Sequence, residues 1–162
     1  MGTKRKLHPV ARLLEALEAE DIGFMLIGMS AAIVQGVMET TLDIDLWIDL
    51  PKRQYMRVQN IARTVGCTVA ANAVVYTEDG TPVNFVYEVN GLGAFASERK
   101  NTEPLAFRGK IIPVLKLERI LKSKETIRSD KDLSHIIHIR ELLRCRCALK
   151  TKMTKIRKKT KP

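Results

Sequence analysis

The stretch that most constrains this chain is residues 24–49, FMLIGMSAAIVQGVMETTLDIDLWID. Its first four residues are apolar and end at Gly28, which is the pattern of a short buried strand that runs into a tight turn. Ser30 is suited to cap a helix over residues 31–35, and Gly36 is suited to end it. The sequence therefore predicts a strand, a glycine turn and a short helix in immediate succession.

The predicted turn has a chemical consequence. Free backbone N–H groups at a helix N-terminus, together with the positive end of the helix dipole, favour a bound anion. A triphosphate is the anion most often held in this way, so we expect Gly28 and Ser30 to bind nucleotide phosphates. An ordinary strand-to-helix turn is the alternative, because glycine turns that open helices are common.

A pair of carboxylates follows in the same stretch. Residues 42–48, LDIDLWI, alternate as a strand does, so Asp43 and Asp45 share one face. Positions two apart on a strand are separated by about 6.5–7 Å, and both carboxylates can therefore reach one cation or two adjacent ones. Mg²⁺ prefers one or two carboxylates together with substrate phosphates. The alternative is a solvent-facing edge strand.

Together these features resemble the nucleotidyltransferases of the polymerase beta type, in particular small bacterial proteins linked to toxin and antitoxin pairs. The family pattern is a glycine turn after the first strand, a short helix, a threonine and an Asp-x-Asp on the next strand. In this sequence the pattern corresponds to Gly28, Met29, Ser30, Gly36, Thr41, Asp43 and Asp45. The resemblance implies an α/β nucleotidyltransferase fold with a mixed β-sheet packed by helices.

The resemblance also implies a chemistry. Asp43 and Asp45 would hold Mg²⁺ while a nucleoside monophosphate passes from a nucleoside triphosphate (NTP) to a hydroxyl of an RNA, such as a tRNA, or of a protein. Gly28 and Ser30 would bind the β and γ phosphates, and Thr41 belongs to the same nucleotide-binding set. A toxin or antitoxin protein is the expected partner.

The later segment KETIRSDKDL, which begins at Lys124, is similar to the family's basic motif at the start of the last helix. The similarity implies that Lys124 and Lys131 lie near the phosphates. The alternative is that Asp130 caps the last helix and Lys131 is simply solvated. His135 and His138, three residues apart on that helix, either share a metal or are surface histidines.

Three positions depart from the family pattern. In the family, the strand predicted over residues 83–89 brings a third carboxylate to the Asp pair, where it acts as the base; here that position is Asn84. An amide oxygen can ligate a metal weakly but cannot accept a proton near neutral pH. Met29 stands where many relatives have a small residue, and Glu39 near the place of an arginine. Glu88, on the same strand face as Asn84, is the alternative carboxylate.

Asn84 leaves two hypotheses open. The first is an active transferase in which Asp43, Asp45 and Asn84 form the catalytic set. The second is a catalytically degenerate protein with the same fold, which acts by binding alone as an antitoxin or a regulator.

Positive charge is concentrated at the ends of the chain. The net charge is +10, yet residues 150–162 contain seven Lys or Arg and no acid, and Lys4, Arg5 and Lys6 add three more. The remaining 18 basic residues are balanced by 18 acidic ones. We therefore predict one domain over residues 1–149 and a disordered basic tail after it. The tail either contacts RNA or DNA without sequence preference or is only solvated.

The composition indicates a cytoplasmic protein. Its three cysteines are odd in number and lack the spacing of a metal knuckle, so we expect reduced thiols. The sequence begins without a signal-type apolar region and contains no apolar run long enough to span a bilayer. We therefore expect no membrane partner.

Overall fold

The computed structural model describes residues 7–159; residues 1–6, which include the basic group at the N-terminus, and residues 160–162 lie outside the described residues. The helices are α1 (Pro9–Ala19), α2 (Gly28–Val34), α3 (Tyr55–Thr64), α4 (Phe95–Glu98), α5 (Leu117–Ile127) and α6 (Asp130–Lys159). The strands are β1 (Phe24–Ile27), β2 (Ile44–Ile48), β3 (Thr68–Ala71), β4 (Val74–Tyr76), β5 (Pro82–Val86), β6 (Thr102–Phe107) and β7 (Lys110–Leu115). Two 3-10 turns, Lys52–Gln54 and Arg99–Asn101, precede α3 and β6.

The seven strands of the described chain form one mixed sheet in the order β3-β4-β5-β2-β1-β7-β6. β1 is antiparallel to β2 and parallel to β7, and β2 is parallel to β5. Antiparallel hairpins extend the sheet with β4 and β3 on one side and with β6 on the other. The predicted α/β class, with a mixed sheet and helices packed against it, is confirmed.

The core is centred on β1, which is buried along its whole length. Four apolar residues without alternation are expected of a strand that is covered on both faces. α1 contributes an apolar face at helical spacing, and its four completely buried large side chains are Val10, Leu13, Leu14 and Leu17. On β2, Trp47 is buried and packs edge-on against the ring of Phe95, with the ring centroids 5.8 Å apart. These residues form the packed centre of the core.

The last helix is longer than the sequence predicts. Residues 150–159, where we predict the start of a disordered tail, form the final turns of α6. Lys and Arg are good helix formers, so a basic segment can continue a helix whose start is anchored on the domain. α6 is long, but within residues 7–159 no helix combines the length and the apolar character needed to cross a membrane.

An ion pair between a buried carboxylate and a partly exposed guanidinium joins α4 to α5. Arg119 donates from Nε to Oε2 of Glu98 at 2.8 Å and from its terminal nitrogen to Oε1 at 2.5 Å, and Glu98 is only 3% exposed. Asn101 and the backbone N–H of Gly93 donate to the same carboxylate. The hydrogen bonds from Arg119 are the main reason why the pKa of Glu98 lies at about 2 instead of 4.5.

We expect Glu98→Gln to lower the free energy of unfolding at pH 7 by roughly 3 kcal/mol, the value of a pKa shift of this size. Because the pKa is depressed in the folded state, the stabilisation is complete above about pH 4.5 and is lost as the pH falls toward 2. Urea unfolding at a series of pH values measures the difference between the native chain and the variant. The difference should shrink below pH 4.5, whereas Glu103→Gln, at an exposed position on β6, should show almost none at any pH. A difference that does not change with acidification would contradict the assignment.

Candidate functional site

The end of β1 and the starts of β2 and β5 meet at one edge of the sheet. β1 is antiparallel to β2, with Ile27 opposite Asp45, and β5 is parallel to β2, with Asn84 opposite Asp45. Asn84 donates from Nδ2 to Oδ1 of Asp45 at 2.9 Å. The structure therefore places the glycine turn, the Asp pair and Asn84 side by side.

Gly28 admits the carboxylate of Asp45 to this edge. Its φ is +66°, a conformation that L side chains rarely adopt. A Cβ atom on Gly28 would lie 2.3 Å from Oδ2 of Asp45 and 3.3 Å from the Cβ of that residue. The backbone of the turn and the Asp45 side chain are thus in direct contact. Only glycine at position 28 leaves room for the Asp45 carboxylate.

The environment of Asp45 disfavours its negative charge. Burial raises the pKa of Asp45; the hydrogen bond from Asn84 opposes this effect, and the neighbouring charge of Asp43 adds to it. The positive charge of Lys124 also favours the ionised form, without cancelling the effect of burial. Asp43 itself is exposed. A cation could therefore bind two different carboxylates: the enclosed Asp45, whose unfavourable negative charge it would neutralise, and the exposed Asp43.

Ser30 and Thr41 hold the segment that carries Asp43. The Ser30 hydroxyl donates to the backbone carbonyl oxygen of Asp43 at 2.6 Å, and the Thr41 hydroxyl donates to the same oxygen at 3.4 Å. The prediction that Ser30 caps the helix is wrong, because α2 already begins at Gly28, with Ile27 in the N-cap position. Ser30 is buried inside α2, and its hydroxyl positions Asp43.

Lys124 approaches the carboxylates from α5. Its Nζ lies 2.7 Å from Oδ1 of Asp132 and 3.3 Å from Nδ1 of His135, both on α6. Burial opposes ionisation of Asp132, but hydrogen bonds from Lys124 and Ser129 outweigh it and lower the pKa of that carboxyl. Burial and the charge of Lys124 lower the pKa of His135. An ionised Asp132 and a neutral His135 therefore hold the Lys124 ammonium within electrostatic range of Asp45.

Glu39 is paired with a base, so it does not present a bare negative charge to the site. Its Oε1 lies 2.6 Å from Nδ1 of His138 on α6, and this hydrogen bond is the main cause of the lowered pKa of Glu39. The pair ties the loop between α2 and β2 to α6. His135 and His138 thus have separate partners. Among residues 7–159, no group of three or more His, Cys, Asp or Glu side chains is placed to hold a metal.

Three other positions from the sequence lie outside this cluster. Met29 is 5% exposed and packs in the core, so its side chain does not crowd the open side of the turn. Lys131 is exposed on the first turn of α6. Glu88 lies past the end of β5, about 13 Å along the chain from Asn84, where it borders a cavity with Asp49 at the opposite end of β2. Glu88 therefore does not replace the missing carboxylate.

A cleft of about 250 Å³ opens beside Asp43. Its polar lining comes from the residues Ser30, Glu39, Thr40, Thr41, Asp43 and Arg108. Phe107 and several aliphatic side chains complete the walls. The cleft can hold a polar molecule of modest size, or the protruding end of a larger one.

Asp43 and Asp45 fit Mg²⁺ that arrives with phosphates. Mg²⁺ takes hard oxygen ligands and commonly uses one or two carboxylates, with water and substrate phosphates completing its octahedron. Two carboxylates, one of them desolvated, meet that requirement without a third acidic side chain. Two carboxylates thus suit a metal that brings further ligands with it better than they suit a closed structural site.

Sequence comparison finds no relative of this chain: no protein-family model matches it, and no curated protein does. Solved structures do match. The antibiotic-resistance factor ANT(2'')-Ia superposes with a TM-score of 0.53 at 14% identity, over 91% of this chain and 92% of that one. The lincosamide antibiotic adenylyltransferase LnuA, solved with lincomycin, gives a TM-score of 0.54 at 14% identity, over 85% and 96%.

A Thermotoga maritima protein named as a candidate nucleotidyltransferase gives a TM-score of 0.54 at 16% identity, over 83% of this chain and 90% of that one. At such identities the likeness concerns the fold alone. The chain has the nucleotidyltransferase fold, which confirms the fold that the sequence motifs imply.

We expect Gly28→Ala to destabilise the protein by about 1–3 kcal/mol more than Gly80→Ala, because only the first substitution overpacks a neighbour. Both glycines have positive φ, +66° and +81°, so both substitutions strain the backbone by a similar amount. A Cβ at Gly80 meets nothing within 4 Å, whereas at Gly28 it meets Asp45. Chemical denaturation of the two variants gives the difference. Equal losses would mean that the Asp45 side chain moves aside freely.

Proposed function

We propose that this protein binds an NTP with Mg²⁺ and transfers its nucleoside monophosphate to an acceptor hydroxyl. One observation carries the proposal: Asp43, Asp45 and the Gly28 turn lie together at one edge of the sheet, within electrostatic range of Lys124. A magnesium-bound triphosphate requires carboxylates for the metal, close backbone approach and a positive counter-charge. This edge supplies all three.

The side chains divide the work of binding. Asp43 and Asp45 hold Mg²⁺, which supplies neutralisation of the phosphate charge when it is bound. The turn at Gly28 lies directly against the carboxylate of Asp45, so its backbone is next to the metal-binding group, and Lys124, held by its partners on α6, adds positive charge. Ser30 contributes its backbone and its hold on Asp43, since its hydroxyl is already engaged.

Thr41 and Lys131, the two remaining predicted nucleotide-binding residues, contribute less to nucleotide binding than Lys124 does. Thr41 steadies the Asp43 carbonyl through a long hydrogen bond of 3.4 Å. Lys131, exposed on the first turn of α6, adds only screened long-range attraction for the triphosphate. We therefore assign the main electrostatic role to Lys124.

The transfer breaks one phosphoanhydride bond and forms one phosphoester bond. The acceptor oxygen attacks the α-phosphorus, the bond from that phosphorus to its bridging oxygen breaks, and pyrophosphate leaves with the electron pair. Asn84 cannot take the proton of the hydroxyl, so the proton passes to solvent water. General-base catalysis is typically worth about 10²–10⁴-fold, and we expect a correspondingly slow reaction.

The acceptor that we propose is a hydroxyl on a small molecule. Structures of the similar proteins contain adenylyl-2''-tobramycin in ANT(2'')-Ia and lincomycin in LnuA. A cleft of about 250 Å³ beside Asp43 matches a small polar molecule better than a folded RNA or a protein surface. The end of an RNA, such as a tRNA, or a protruding protein side chain remains the second acceptor class.

Asn84 favours a second candidate function, nucleotide binding without transfer. Its amide donates a hydrogen bond to Asp45 and so supports the metal-binding carboxylate without adding charge. The resemblance noted in the sequence implies a catalytic carboxylate at this position, and Asn84 cannot take over its role as a base. A protein of this kind would act as a regulator, or as the antitoxin of a toxin pair, through the nucleotide it holds. Binding is common to both candidates, and only transfer separates them.

We expect Asp43→Asn and Asp45→Asn each to weaken Mg²⁺-dependent NTP binding at least tenfold, about 1.4 kcal/mol. Calorimetric titration of the four NTPs, with and without Mg²⁺, measures the effect. Asp49→Asn is the matched control, because this exposed carboxylate follows the far end of β2. Binding that survives both substitutions, or that does not require Mg²⁺, would contradict the proposed site.

We expect Asn84→Asp to increase transfer by roughly 10²-fold, because it places a base beside Asp45. The measurement is release of pyrophosphate in the presence of a panel of small-molecule, RNA and protein hydroxyls. Asn72→Asp, at an exposed turn between β3 and β4, controls for the added charge. If Asn84→Asp binds the NTP but gains no transfer with any acceptor, the binding-only function is the correct one.

A further inference from the structure

The C-terminal half of α6 projects an apolar line that the nucleotide site does not use. Arg146 donates to the backbone carbonyl oxygen of Gln35 and so fastens α6 to the body of the domain. Every residue from 147 to 158 is exposed. Within this exposed segment, three large apolar side chains are 58–62% exposed: Leu149, Met153 and Ile156.

These three residues, which we call the α6 seam, lie on one side of the helix. At 3.6 residues per turn they fall within an arc of about 60°. A membrane-binding or core-facing helix shows an apolar face at least about 100° wide, whereas a narrow stripe is characteristic of a coiled-coil contact. The shape of the seam therefore indicates a partner helix.

The residues that flank the seam determine what kind of helix can pair with it. Lys152 borders the stripe on one side, and Lys150 and Arg157 border it on the other. The segment from residue 150 onward contains seven basic residues and no acidic one. In coiled coils, the flanking charges select the partner, and like charges across the contact are destabilising. A second copy of this chain is therefore a poor partner, in either orientation.

We propose that the α6 seam docks an acidic amphipathic helix of a partner protein. The partner would place apolar residues against Leu149 and Met153, and Glu or Asp side chains against the flanking lysines. Nucleic acid would engage the cations without needing the apolar line. The inference concerns a surface separate from the nucleotide site and stands independently of the transferase proposal.

The test uses the full chain and a labelled acidic helical peptide of about three heptads, with Leu and Ile along its apolar stripe and Glu at the flanking positions. The control peptide has the same apolar stripe with Lys in place of every Glu. We expect the acidic peptide to bind, added salt to weaken it, and the basic peptide not to bind. Leu149→Ser and Met153→Ser should each weaken binding at least tenfold in fluorescence anisotropy.

Ile111→Ser is the matched variant, because Ile111 is 66% exposed on β7 and away from the seam. It should leave binding unchanged. The seam variants are expected to fold, because serine at an exposed helical position is only slightly unfavourable, and circular dichroism verifies the helix. If neither serine substitution weakens peptide binding, the peptide is held by charge alone, and the proposal is overturned. Self-association of the native chain that the same substitutions abolish would assign the seam to a second copy.

Discussion

The contact between the carboxylate of Asp45 and the backbone of Gly28 is the constraint on which the site depends. It requires a residue without a Cβ directly after β1, an acidic residue at the second position of the antiparallel neighbour β2, and a positive φ where the chain enters α2. Burial at this position raises the pKa of Asp45. A carboxylate in that state is stabilised by a cation, which connects the geometry of a turn with metal chemistry.

α6 completes the site from the side. It supplies Asp132 and His135 to Lys124, and His138 to Glu39, so that the two charges flanking the Asp pair are each held by this helix. Because Glu39 is hydrogen-bonded to His138 on α6, it does not present an unpaired carboxylate to the cleft beside Asp43. The helix then continues beyond the domain as the exposed segment that carries the seam.

Asn84 is the residue on which the two proposed functions, binding alone and transfer, differ. The side-chain amide of Asn84 donates a hydrogen bond to one oxygen of Asp45 and holds that carboxylate in place. It does so without adding a third negative charge to an enclosed cluster, where repulsion would have to be offset by the metal. Under the proposed function, Asn84 would support the metal-binding carboxylate and supply no proton acceptor. The nucleotidyltransferase fold is compatible with either outcome, because function resides in the site and not in the fold.

Most of residues 24–49 could be predicted from the sequence, because the apolar run of β1, the glycine turn, the short helix and the alternation along β2 each depend on residue types a few positions apart. The predicted acidic strand was too long at its start, since β2 begins at Ile44 and Asp43 lies just before it. The partners of these residues could not be predicted. Ser30 resembles a helix cap in sequence but bonds the Asp43 carbonyl, and Glu39 finds its base 99 residues away on α6. Such pairings depend on which elements the sheet brings together, and local patterns carry no information about them. The helical end of α6 was missed because composition alone does not distinguish a solvated coil from a helix extended from an anchored start.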